Sequence, residues 1–158
     1  MTTCFETLAQ VLSRSGLNRE DGHPLYRYRV TSDELERLRK ELSLLFTTRG
    51  SLRMPEEYAA FCLFGAEWFR RHYQSGNWNW DIIFDGLDLY GAHRPALQSV
   101  YEYVERGLRY WRTRLLSTDL MRLFLRTLVC QGGFPINTLR NDGAGLSCFA
   151  PAETGFFC

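Results

Sequence analysis

The sequence predicts an all-α fold: a compact, bundle-like domain of about six helices with an irregular arm and an irregular C-terminal tail. Three observations carry this expectation. Apolar residues recur three and four positions apart along most of the chain. Helix-start signals precede these runs, among them Thr31-x-x-Glu34 and Pro55. Glycines close them, at Gly16, Gly50, Gly76 and Gly132. The 158 residues suit one ordinary domain, long enough to bury roughly 68–70% of the surface its unfolded form exposes. A single helical domain is expected over residues 1–142, followed by the tail 143–158.

The first helix is expected over Phe5 to Ser15, with Phe5, Leu8 and Leu12 on one face and Gly16 as the stop. A polar loop with Gly22 and Pro24 leads into LYRYRV, residues 25–30. Its alternation would suit a short strand, but a lone strand has no partner, so an irregular arm across the helices is expected. Thr31 and Glu34 form a capping box, with Val30 placed to staple onto Leu35. Leu35, Leu38, Leu42 and Leu45 mark the buried stripe of that second helix.

The third helix starts at Pro55, shows Phe61, Phe64, Gly65, Trp68 and Phe69 on a wide apolar face, and ends near Ser75 and Gly76. In the fourth, Asn79 is the expected N-cap, Trp78 a staple onto Ile83, and Trp80, Ile83, Phe84 and Leu87 the inward face. The fifth is expected from Pro95 to Arg114, burying Leu97, Val100, Tyr101, Val104, Leu108 and Trp111, with Glu102–Arg106 and Glu105–Arg109 pairs on its outer face. The sixth begins at Ser117 or Thr118, buries Leu120, Leu123, Phe124 and Leu128, and stops at Gly132, Gly133 and Pro135. The final GAGLSCFAPAETGFFC has no helical period.

Composition narrows the function classes. Five widely spaced cysteines, Cys4, Cys62, Cys130, Cys148 and Cys158, contain no C-x-x-C pair. They indicate neither a disulfide framework nor a zinc site and read as reduced thiols of a cytoplasmic protein. No apolar run approaches the ~18–20 residues of a membrane span. A net charge of +1 excludes a strongly basic, histone-like binder. Locally, however, Arg106, Arg109, Arg112, Arg114, Arg122 and Arg126 face only Asp119. The basic charge is eighteen arginines against the single Lys40, which reflects base composition or a use for bidentate pairing.

Four groups are candidates for chemistry. Glu67, inside the aromatic face of the third helix, is either a carboxyl raised by burial or a structural partner for an arginine of a neighbouring helix; the second is expected. Asp81, Asp85 and Asp88, at i, i+4 and i+7, read as an acidic surface stripe rather than a divalent-cation site. His23, His72 and His93 are scattered, with no nucleophile motif around them. The arginine row, with Arg106, Arg109, Arg112, Arg122 and Arg126 as candidate partner-binding residues, is the expected binding surface. It contacts phosphates or an acidic protein, unless the aspartate stripe neutralises it within the molecule. No catalytic, cofactor or metal residues are expected.

Four segments carry a family resemblance: HPLYRYRVTSDELERLRKEL (23–42), FCLFGAEWFRRHYQSGNWNWDIIFDGL (61–87), VERGLRYWRTRLL (104–116) and LRTLVCQGGFPINTLRND (125–142). Together they resemble the N-terminal region of the YjiT-like family of very large bacterial proteins carried in genomic defence islands, which includes a component of the Druantia anti-phage system. The resemblance implies a defence context but transfers no site residue. Members continue well past the GG-P segment, so a truncated gene or a short stand-alone protein of a mobile element is expected here. The function expected is a non-catalytic helical binding module of anti-phage defence. Its partner is a protein, a defence-complex component or nuclease, with nucleic acid as a second class and no membrane. The alternative is a mobile-element inhibitor of the anti-CRISPR type that occludes a defence nuclease or its nucleic-acid channel.

Overall fold

The computed structural model describes residues 3–17, 24–73, 79–113 and 125–133, with Arg126 and Cys130 described in backbone only. Six α-helices run through them: α1 (Cys4–Ser15), α2 (Ser32–Arg49), α3 (Pro55–His72), α4 (Asp81–Gly86), α5 (Leu97–Tyr110) and α6 (Leu125–Gln131). Short 3-10 turns occupy Leu25–Tyr28 and Gly91–His93, and there is no strand among the described residues. The all-α expectation holds.

α3 organises the rest. Every residue from Glu57 to Glu67 is buried, and α1, α2, α4, α5, α6 and the Leu25–Tyr28 turn all pack against it. A helix surrounded in this way keeps no polar face along its middle, which explains the run YAAFCLFGA. Pro55 opens α3 as predicted, but the helix ends at His72, ahead of the predicted stop.

The helices around it obey their caps more closely than their predicted faces. α1 begins with a capping box that the sequence reading missed: Glu6 N donates to Thr3 Oγ1 at 3.3 Å, and Thr3 N to Glu6 Oε2 at 3.2 Å. Its buried stripe is Cys4, Thr7, Leu8 and Val11. Phe5, expected inside, is 62% exposed. The stripe is turned because the Thr7 hydroxyl reaches Glu41 Oε1 on α2 at 2.8 Å, making a polar residue acceptable on the inner face. α2 has its predicted box, Thr31 N to Glu34 Oε2 at 2.9 Å and Glu34 N to Thr31 Oγ1 at 3.2 Å. It ends on Gly50 in the left-handed conformation. Phe46, rather than Leu45, completes its buried stripe.

The arm is not extended. Leu25–Tyr28 is a 3-10 turn that buries Leu25 and Tyr28, three residues apart, and Arg29 follows with φ 50. Leu25 N donates to Gln131 Oε1 at 3.1 Å, tying the arm to α6.

In α4, Asn79 Oδ1 accepts from Asp81 N at 2.9 Å, the predicted capping role shifted by one position. Trp80, Ile83, Phe84 and Leu87 are buried as expected, with Ile82 beside them. α5 is shorter at both ends than expected. Leu97 is 52% exposed and Tyr103, not Tyr101, faces inward. Trp111 is buried just beyond the helix, its indole N–H donating to the Ala59 carbonyl at 2.9 Å. α6 closes on Gly132 and on Gly133 with φ 76, as predicted. The expected start at Ser117 or Thr118, the positions Leu120, Leu123 and Phe124, Trp78, His23 and the tail 143–158 lie outside the described residues.

Candidate functional site

The arginine row is only partly within view. Arg106 and Arg109 project from α5 and pair at 2.7 Å with Glu102 and Glu105, one turn earlier, as predicted. Arg106 also lies over the Tyr58 ring, 5.4 Å from its centroid. Arg112 follows α5 in the left-handed region, φ 54. Arg114 and Arg122, and the side chain of Arg126, lie outside the described residues.

The aspartates do not share one helix face, and among the described residues their ion pairs are made with other arginines than Arg106 and Arg109. α4 stops at Gly86, and Asp88 adopts φ 55, so the i+7 position leaves the helix face. Arg94 holds Asp81 and Asp85 at 2.7 and 2.9 Å while lying over Phe84, and Arg39 of α2 holds Asp88 at 2.9 Å. The described ion pairs of the three aspartates are thus with Arg94 and Arg39. Periodicity had no means of showing them, because Arg94 follows a turn and Arg39 lies two helices away.

Glu67 forms ion pairs as expected, but its partners are on its own helix. At 5% exposure it accepts from both Arg70 and Arg71, so the expected neighbouring-helix arginine is replaced by the i+3 and i+4 pair. Arg71 goes on to donate to the Val30 carbonyl at 2.7 Å and to Ser32 Oγ at 3.2 Å. His72 stacks on Trp68 with ring centroids 3.8 Å apart and bonds the Trp68 carbonyl, while His93 is exposed in its turn. Burial pushes the Cys62 and Cys4 thiols up, the latter further beside Glu41. Neither is a ready nucleophile.

Two concavities stand out among the described residues. The first is a cleft of about 440 Å³ where Tyr26, Arg29 and Val30 of the arm meet Glu67, Arg70 and Arg71 of α3 and the Gly132–Gly133 turn. Three of the four segments that carry the family resemblance converge there. The second is a groove of about 650 Å³ between the first turn of α1, the middle of α2 and the start of α3. Its apolar wall includes Phe5, Leu44 and Met54, which are 62%, 41% and 54% exposed. Glu41 stands in this groove. Its Oε1 accepts from Thr7, while Oε2 is buried with no hydrogen-bond partner among the described residues. Burial raises this carboxyl above its ordinary range. Sequence periodicity missed the groove because it assigned Phe5 to the core.

Among the described residues the geometry therefore defines an all-α domain with open concavities at the arm and at the α1–α2–α3 groove, and no group of three or more His, Cys, Asp and Glu side chains able to hold a metal ion. No described helix is long and apolar enough to cross a membrane. The family model described as the YjiT N-terminal domain matches residues 1–134, and the chain belongs to that family. The match takes in α1, which the sequence resemblance over residues 23–142 left out. The chain is 29% identical over 153 residues to Protein YjiT of Escherichia coli (strain K12), covering 93% of this chain and 28% of that relative. It thus spans well under half of the relative's length. No solved structure matches it significantly.

Proposed function

We propose that this chain is a non-catalytic binding module of bacterial anti-phage defence and that its partner is a protein. The observation that carries the reading is the groove. Phe5, Leu44 and Met54 are exposed together on one concave surface, and clustered apolar exposure of this kind marks protein contact sites. The occupant we infer is an amphipathic segment of the partner. Its apolar side chains cover this wall. Arg37 and Lys40 on one rim, with Glu56 on another, provide polar contacts of both signs. The defence setting is supported by family membership together with the defence-island resemblance. A non-catalytic role is supported by the pairing of Glu67 with Arg70 and Arg71 and by the burial of Cys4 and Cys62.

The test begins with capture of a protein from the native host and continues with the purified partner in a binding titration. Leu44→Asp, on an exposed position, should leave the helical spectrum and unfolding midpoint nearly unchanged. It should weaken the complex by roughly 30-fold or more, the scale of an interface hot spot. Unchanged affinity in Leu44→Asp and Phe5→Asp would place the contact elsewhere. A hydrolytic activity of the wild type abolished in a folded Glu67→Gln variant would make the domain an enzyme.

A further inference from the structure

We infer that the cleft between the arm, the end of α3 and the Gly132–Gly133 turn binds a phosphorylated small molecule of about nucleotide size. The site is built around Arg29. Its backbone has φ 50 and ψ 56, a left-handed conformation that is unfavourable for a non-glycine residue and maintained where surrounding bonds impose it. Those bonds are present on both sides. Arg14 Nη2 donates to the carbonyls of Tyr28 at 3.0 Å and Arg29 at 2.9 Å, and Arg71 Nη2 donates to the carbonyl of Val30 at 2.7 Å. Arg14 is in turn fixed by the buried Glu34.

The side chain held by this clamp is exposed, lines the cleft, and has no hydrogen-bond or ionic partner among the described residues. Arg70 lines the same cleft. It gives Nη2 to Glu67, while its Nε and Nη1 make no bond among the described residues. With Arg71 included, the described lining sets three guanidiniums against one carboxylate, an excess of two positive charges.

That excess matches a phosphate dianion, and two guanidinium forks match its oxygens. Helix-end electrostatics explains why arginines suit the last turn of α3, but it does not account for Arg29, which ends a 3-10 turn under strain. The opposite wall has no side chains at Gly132 and Gly133. A Cβ at Gly133 would come within 3.0 Å of the Tyr26 ring, so glycine keeps this aromatic wall clear. A volume of about 440 Å³ lies within the roughly 300–1,000 Å³ of small-molecule sites.

The experiment is calorimetric titration of the 158-residue chain with AMP, ribose 5-phosphate and inorganic phosphate, with adenosine and succinate as controls. Saturable binding of at least one phosphorylated probe is expected, with adenosine inert and succinate much weaker. Arg29→Gly accepts the left-handed backbone and removes the charge, so it should fold normally, as thermal unfolding will verify. It and Arg70→Gln should each weaken the bound probe by roughly 10- to 100-fold. Failure of all three phosphorylated probes overturns the assignment, as does equal binding of succinate or full affinity in folded Arg29→Gly. Binding confined to an oligonucleotide or an acidic peptide, and lost with Arg29, overturns it in favour of a macromolecular contact. The groove and its protein partner are unaffected by any of these results.

Discussion

Arg14 of α1 grips Glu34 of α2 through two parallel bonds, Nε to Oε1 at 2.6 Å and Nη2 to Oε2 at 2.8 Å. Glu34 is 1% exposed and simultaneously closes the capping box of its own helix. One carboxylate therefore fixes a helix start, a helix pair and, through the remaining bonds of Arg14, the turn at Arg29. Arg14→Met should destabilise the fold by about 3 kcal/mol, the lower end for breaking a buried pair, because Arg14 itself is partly exposed. Urea unfolding gives the value. A loss well under 1 kcal/mol would mean that water replaces the guanidinium at no cost.

Two buried glutamates and the half-buried Glu41 give the stability a shaped pH dependence. Burial alone would raise the Glu34 and Glu57 carboxyls. Hydrogen bonds from Arg14 and Thr31 in the first case, and from Arg49 and the N–H groups of Arg53 and Met54 in the second, outweigh it and hold both below the ordinary range. Their contribution is present above the unfolded carboxylate pKa of about 4.3 and is lost as pH falls through the depressed folded values. Glu41 has the opposite sign. Burial raises it, so its contribution is complete below the unfolded value and is lost as pH rises through the folded one. In unfolding titrations from pH 7 to pH 3, Glu34→Gln should cost most at pH 7 and least in acid. Glu41→Gln should gain stability at pH 7 and little at pH 3. Parallel pH curves for wild type and both variants would contradict these assignments.

Gly107 marks the closest approach of α5 to α3. A Cβ there would overlap Cys62 Sγ and the Tyr58 carbonyl, a backbone atom with little room to yield. Gly→Ala inside a helix ordinarily stabilises by roughly 0.5–1 kcal/mol. Gly107→Ala should instead destabilise by about 1–3 kcal/mol through overpacking, a reversal of sign readable in one denaturation series. A gain in stability would show that α5 shifts outward freely.

Much of this was legible before any coordinates, for identifiable reasons. Thr31 and Glu34, Pro55, Gly50 and Gly133 act through the backbone of their own segment, and local rules suffice for them. Faces were less secure. Phe5 and Val11 offer α1 two stripes, and the choice between them depends on Thr7 meeting Glu41 on another helix. On α5, Leu97 and Tyr101 were expected inside where Tyr103 is, because its inner face is set by the close approach at Gly107. The cleft and groove were harder still. Arg29, Arg70 and Gly133 are far apart in sequence, and only the 3-10 turn of the arm brings them together.

The arginines of α5 separate a protein-binding role from a nucleic-acid one. Arg106 and Arg109 are already paired one turn back with Glu102 and Glu105. A phosphate must compete with those carboxylates, and the chain as a whole carries only +1. Exposed pairs of this kind are weak, so they lower affinity for DNA without abolishing it. Anisotropy titrations with a labelled duplex over a salt series should give a log–log slope no steeper than about −2, since each phosphate contact contributes ~0.9 to its magnitude. Glu102→Gln with Glu105→Gln releases both guanidiniums without changing their positions, and the slope should then steepen by up to about two contacts. The same variant should leave the affinity for the groove-bound protein partner unchanged. A wild-type slope on the order of −5, insensitive to the double variant, would show that phosphate contacts dominate through other arginines and that nucleic acid is the primary partner.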